Sequence, residues 1–128
     1  MGFHRSGRAL SVAAIVVIAA AAATPATAAS FNCGKARAPD EKAICASRTL
    51  SDLDVEMATL FRVRMQIPML MGARGDAGDQ QVSWLAKRAT CGANIACLTV
   101  AYRQRITELK QTISDAMQDY CKRIGICG

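Results

Sequence analysis

The chain contains a single histidine, His4, and it lies ahead of every cysteine. Nucleophilic catalysis of the serine–histidine or cysteine–histidine type needs an imidazole beside the nucleophile, so it is not available to the part of the chain after residue 29. Aromatic residues make up only 5% of the sequence, and proline occurs three times. The sequence has no phosphate-cradling glycine motif. It has no C-x-x-C redox pair and no C-x-x-C-H haem-attachment motif. Strand-type alternation is nowhere sustained, and no internal repeat is evident. What the chain does have is cysteine: six residues, grouped along the sequence as Cys33 and Cys45, Cys91 and Cys97, and Cys121 and Cys127.

Residues 1–29 read as an export signal. Arg5 and Arg8 form a basic start, Leu10 to Ala23 is apolar and alanine-rich, and Ala26-Thr27-Ala28 is a small-x-small cleavage pattern. The cut is expected after Ala28 or Ala29. The apolar stretch is shorter than the roughly 20 residues that cross a bilayer, so no stable membrane span is expected once it is removed. Ser30-Phe31-Asn32-Cys33 is a poor lipoprotein box, because Asn32 stands where a small residue is needed. The expected product is a periplasmic or secreted protein, residues 30–128, with one small domain and one modest core.

In that compartment an even cysteine count reads as a disulfide framework. Six cysteines allow fifteen connectivities, and sequence alone leaves them open. Zinc is a poor alternative. Its sites use close C-x₂₋₄-C pairs, often with histidine, whereas two of the groups here are C-x₅-C and the third is wider. Removing Arg5 and Arg8 from the +6 of the full sequence leaves +4. That balance mildly favours acidic partners and gives no argument for nucleic acid. No cofactor is implied.

The pattern predicts an all-α bundle of three or four helices with short antiparallel connections. After a lead-in loop over Cys33 to Arg37, Pro39-Asp40-Glu41 begins a short helix carrying Ala43, Ile44 and Cys45. A second helix follows, with Ser51 as N-cap and Leu53, Met57, Leu60, Phe61 and Met65 as its apolar stripe; Pro68 ends it. Gly72 to Gly78 reads as a loop. A third helix is expected from Asp79 to Thr90, with Val82, Trp84 and Leu85. Gly92 and Asn94 then form a turn. The fourth helix is the longest, and Leu98, Tyr102, Ile106, Leu109, Ile113, Met117 and Tyr120 mark its core face.

Single carboxylates such as Glu41, Asp54 and Glu108 formally permit a two-carboxylate hydrolase. Capping, pairing or solvation is the better reading of each. Asp115 and Asp119, one turn apart, read as a solvated face. Arg74-Gly75-Asp76 matches an adhesion tripeptide but reads as an ordinary turn. The flexible apolar cluster around Met69 and Met71, with Arg62, Arg64 and Arg74 about it, is the candidate partner contact.

Phe31-Asn32-Cys33, Glu41-Lys42-Ala43-Ile44-Cys45, Leu50, Leu53 and Asp54 resemble the opening of the lysozyme inhibitor LprI-like N-terminal domain. Gln81, Trp84-Leu85, Arg88 and Cys91 resemble its central segment. Cys97-Leu98, Tyr102, Arg105-Ile106 and Glu108-Leu109 resemble its last helix. The resemblance covers residues 31–109 and leaves 110–128 as a C-terminal extension. It implies a small exported helical domain with bridges Cys33–Cys45 and Cys91–Cys97. Cys121 and Cys127 then remain for each other, within one chain or between two. It also implies a lysozyme as target. The motif residues Glu41, Asp54, Trp84, Arg88, Tyr102 and Arg105 are expected to be structural. Arg88 and Arg105 would pair with Glu41 or Asp54, and Trp84 would anchor the core, with a truncation cost of about 3–5 kcal/mol.

Two functions are therefore expected, neither enzymatic. One is inhibition of a lysozyme by filling its cleft and covering its catalytic carboxylates. The other is a structural or interaction module of the cell envelope, binding another envelope protein or an anionic polymer.

Overall fold

The computed structural model describes residues 29–127, so the export signal call on residues 1–29 lies, apart from Ala29, outside the described residues. A 3₁₀ turn, Cys33–Lys35, leads into four helices: α1 Pro39–Ala46, α2 Arg48–Gln66, α3 Met71–Ala89 and α4 Ile95–Arg123. No strand occurs among the described residues. None of the described helices is long and apolar enough to cross a membrane.

The helix boundaries follow from local chemistry. Pro39 opens α1, where its missing N–H costs nothing. Ala38 cannot cap with its side chain, so Glu41 reaches back and accepts from the N–H groups of Ala38 and Arg37 at 3.1 and 2.8 Å. A single residue, Ser47, separates α1 from α2 and caps α2 by accepting from the Leu50 N–H. Ser51, expected as that cap, is instead a buried residue of the first turn, and its hydroxyl donates to the Ile44 carbonyl at 2.8 Å. The bond stitches the corner between the two helices. Helix α2 ends just before Pro68. Gly92 turns the chain at φ +53°, and the Asn94 side chain caps α4 by accepting from the Cys97 N–H.

The core is small: Ile44 of α1, Leu50 and Met57 of α2, and Leu98, Tyr102, Ile106 and Leu109 of α4. Burying each large side chain stabilises the fold by roughly 1.5–3 kcal/mol. Helix α2 runs parallel to α4, as the Asp54–Tyr102 and Glu56–Lys110 contacts establish. Helix α3 runs antiparallel to both, with Gln81 against Met57 and Arg105, and Arg88 against Tyr102.

Three bridges staple this frame: Cys33–Cys45, Cys91–Cys97 and Cys121–Cys127, with Cα–Cα separations of 5.7, 5.6 and 5.3 Å. These lie within the range a disulfide spans. The first ties the 3₁₀ turn to α1, the second crosses the α3–α4 turn, and the third closes the tail onto the end of α4 within the chain.

Helix α3 departs most from expectation. It begins at Met71 and runs through Gly72, Gly75 and Gly78, so the expected loop is two turns of helix and Arg74-Gly75-Asp76 is helical. Its inward face is Ala77, Gln81, Trp84 and Arg88, at steps of four, three and four, while Val82 and Leu85 face solvent. Trp84 is only half-buried. It packs edge-on to Tyr102, with ring centroids 5.3 Å apart, beneath the Arg88 guanidinium at 5.8 Å. Its truncation would open a groove rather than an enclosed cavity, so its cost falls below the range expected from sequence.

A Cβ added at Gly75 or Gly78 meets nothing within 4 Å, and neither residue has a positive φ. Gly75→Ala and Gly78→Ala should each raise unfolding stability by about 0.5–1 kcal/mol. Urea denaturation measures this, and a loss in both variants would contradict a helix through this segment.

Candidate functional site

Helices α1, α2, α3 and α4 each send one polar side chain to a common buried point. Arg88 of α3 donates from Nε and Nη2 to Asp40 Oδ2, at 3.0 and 2.9 Å. Its Nη1 donates to the Tyr102 hydroxyl at 3.1 Å and lies 3.9 Å from Asp54 Oδ1. Tyr102 donates in turn to Asp54 Oδ1 at 2.8 Å. The second Asp54 oxygen accepts from the Ser30 backbone N–H at 2.7 Å. Asp40 and Asp54 are each 1% exposed. Asp40 Oδ1 is buried without a hydrogen-bond partner. Burial, and next the Asp54 charge, push the Tyr102 hydroxyl well above its ordinary value of 10.0, so it remains a donor at neutral pH.

Arg105 makes a second connection. Its Nε and Nη2 donate to Gln81 Oε1 at 3.3 and 3.1 Å, and its Nη1 meets Glu108 at 3.3 Å. The expected pairing of Arg88 with Asp54 is present at 3.9 Å, but it is not the main one, and the other expected pairings are corrected. Arg88 takes Asp40 as its main partner, Arg105 takes Gln81 and Glu108, and Glu41 serves backbone N–H groups. Sequence reading placed Asp40 in the first turn only as a dipole partner. The signal missed was its position four residues before Ile44, which puts it on the buried face of α1.

Every carboxylate at this point is committed to a guanidinium, a phenol or an N–H. All six cysteines are in disulfides. Among the described residues no group of three or more His, Cys, Asp or Glu side chains converges as a metal site. Asp115 accepts from Gln111, and Asp119 pairs with Arg123 at 2.7 Å.

The exposed chemistry sits at the other end of the bundle. Helix α4 has 29 residues against 19 in α2 and in α3. Its last ten or so residues, about 15 Å at 1.5 Å per residue, follow the ends of those helices. The apolar stripe continues there without cover. Met117 is 50% exposed, and Tyr120 and Ile124 are exposed with it, which corrects the core placement of Met117 and Tyr120. Across a solvent-open groove of ≈ 340 Å³ lies the α2–α3 connection. There Leu70 and Met71 are 77% and 91% exposed.

Of the candidate contact residues, Arg64 and Met69 meet at 3.3 Å on that groove. Arg74 is exposed and donates to the Met65 carbonyl at 2.7 Å. Met71 projects from the same connection. Arg62 stands apart, bonded to Thr59 and facing the cleft among α1, α2 and α3. Leu70 belongs to the apolar cluster singled out from sequence around Met69 and Met71, whereas Ile124 and Ile126 were not singled out. The signal for the last two is an apolar pair continuing past the end of a helix.

Comparison with protein-family models, curated proteins and solved structures found no match to this chain.

Two outcomes test this geometry. Arg88→Met strands two buried carboxylates and should cost about 3–5 kcal/mol, whereas Tyr102→Phe removes one relay hydroxyl and should cost about 1–3 kcal/mol. Urea unfolding of both variants reads the difference, and a mild Arg88→Met would refute the network's role.

The second concerns pH. N–H donors from Arg37 and then Ala38 hold the Glu41 carboxyl below its ordinary value of 4.5. The folded-state value is the lower of the two. The contribution is thus complete above the ordinary value and is lost as pH falls through the folded one. Glu41→Gln should narrow the stability gap between neutral and acid pH, and an unchanged gap would remove Glu41 from the acid response.

Proposed function

We propose that this chain is an exported, non-catalytic binding protein of the lysozyme inhibitor LprI-like type, and that its target is a lysozyme. The observation carrying the type is convergence. Asp54, Arg88 and Tyr102, drawn from three separate stretches of the resemblance, meet in one hydrogen-bonded network. Trp84 packs on it, and Gln81 joins Arg105 beside it. Residues scattered in sequence but joined in space are what a shared frame requires. Three disulfides fit an oxidising compartment, which supports a periplasmic or secreted location.

The docking surface is the uncovered end: Leu70 and Tyr120 line the groove with Arg64 and Arg123, Met71, Met117 and Ile124 are exposed on the elements that form it, and Arg74 bonds the Met65 carbonyl beside it. Apolar anchors inside a charged rim suit a protein interface. Arginines at that rim provide donors for the paired carboxylates of a glycosidase cleft. A single bond to a carbonyl leaves most donors of Arg74 free. Animal-type lysozymes are basic and this chain carries net positive charge, so encounter is opposed at long range. Affinity must come from local packing.

The test is titration of the purified, oxidised protein into animal-type lysozyme, following cell-wall hydrolysis. The expected result is saturable inhibition near one-to-one, lost in Met71→Asp with the unfolding midpoint unchanged. Added salt should speed association by screening like charges. No inhibition at large excess by the folded protein rejects a lysozyme target of this kind. Binding to anionic envelope polymer that weakens with salt would then make the envelope module the better reading.

A further inference from the structure

The buried network is short of one positive charge. Asp40 and Asp54 supply two carboxylates, and Arg88 supplies one guanidinium. Tyr102 is neutral, and the Lys and Arg side chains nearest in sequence to the two carboxylates, Lys42 and Arg48, are exposed. An uncompensated charge away from water is costly. One donor to the network differs from the rest: the Ser30 backbone nitrogen, 2.7 Å from Asp54 Oδ2, at the distance of a charge-assisted bond. Ser30 itself is exposed at the edge of the network.

We propose that export processing cuts the chain between Ala29 and Ser30, and that the α-ammonium released there is the missing cation, closing the network on Asp54. In the cut, water is consumed by a signal peptidase. The C–N bond breaks, the water oxygen goes to the Ala29 carbonyl carbon as the new carboxylate, and its two protons end on the Ser30 nitrogen, which is an α-ammonium at neutral pH. A neutral N–H donor becomes a charged one with no movement of the backbone. Thr27 and Ala29 supply the small residues that such a cut reads at its two specificity positions. A cut one residue earlier would leave Asp54 facing a neutral amide and place the charge a residue away. It would keep Ala29, which rests against the core, but one methyl group of apolar contact does not offset an unbalanced buried carboxylate.

The charged and titratable groups facing this amine come from every helix: Asp40 and Glu41 of α1, Asp54 and Arg62 of α2, Arg88 of α3 and Tyr102 of α4. Asp54 is the one in contact with it. The α-ammonium pairs with a carboxylate that the fold already holds in place, so processing turns an existing hydrogen bond into an ion pair that reports whether the leader has been removed.

The experiment starts from the full chain expressed in an exporting bacterial host. The intact mass of the processed, oxidised protein identifies its first residue, and Ser30 is expected. A mature chain beginning at any other residue overturns the proposal. Acetic anhydride near neutral pH then labels the α-amine, and its rate is compared in the native protein and in urea. A native rate at least about tenfold slower is expected, because each unit by which the pairing raises the amine's pKa cuts its reactive fraction tenfold. Equal rates overturn the pairing. Acetylation should also lower the urea midpoint of the native sequence while leaving that of Asp54→Asn nearly unmoved; equal shifts in both would overturn it. Should Asp54→Asn not fold, the mass and the labelling rates decide the matter without it.

Discussion

One guanidinium orders this bundle. Arg88 is the only side chain of α3 that reaches the common point of α1, α2 and α4, and it does so through Asp40, Tyr102 and, through Tyr102, Asp54. Helix α3 has little else to hold it. Its inward face is a methyl, an amide, half an indole and the guanidinium itself. The apolar core lies between α2 and α4, with Ile44 of α1 closing it. Hydrophobic burial is non-directional and would tolerate a helix that slid by a turn. The network does not tolerate this, since a one-turn shift of α3 strands two buried carboxylates. A buried ion network is weak support for stability by comparison with an apolar replacement, but breaking one is expensive. Its role here is register.

The disulfides act where the network does not. Each closes a short loop, with sequence separations of 12, 6 and 6. In the chain-entropy picture a loop of that size contributes up to roughly 3 kcal/mol, the shortest least. All three lie at ends: the lead-in to α1, the turn between α3 and α4, and the tail of α4. The middle of the bundle is specified by packing and by Arg88, while its frayable margins are tied covalently. A domain whose central buried cluster, among the described residues, holds seven side chains gains much from this division.

The class and most of the frame were legible in sequence because long amphipathic stripes announce themselves. The stripe of α4 and the stop at Pro68 are examples, as are the Gly92 turn and the Asn94 cap. Helix α3 was hidden for a physical reason. Three glycines at steps of three each disfavour a helix by about 1 kcal/mol relative to alanine, and the expected loop between them satisfies every local preference. The helix forms because Ala77 and Gln81 have places to pack further along, which no local signal reports. Periodicity also says which side of a helix faces inward, without saying whether anything is there to meet it. Leu98 to Leu109 found α2, whereas Met117 and Tyr120, on the same stripe, did not, since α2 ends at Gln66. The main arginine partners were missed in a similar way. The resemblance marked Arg88 and Arg105 as structural, but the choice among nearby carboxylates and amides is made by three-dimensional packing.

The separation of these two regions bears on how target choice is encoded. Asp54, Arg88 and Tyr102, one from each stretch of the resemblance, are buried and bonded to one another. Almost none of their surface is exposed, so they specify the frame and offer a partner little to bind. The exposed apolar anchors are Leu70, Met71, Met117, Tyr120 and Ile124. They sit in the α2–α3 connection, outside the residues quoted for the resemblance, and in the C-terminal extension beyond Leu109. On the proposed reading, two chains could therefore share the whole buried network and differ in target. Recognition of a lysozyme would have to be encoded in the connection and the extension. Substitutions there should move affinity with little effect on stability, and substitutions in the network should do the reverse. That asymmetry follows from burial alone, and it holds whatever the partner is.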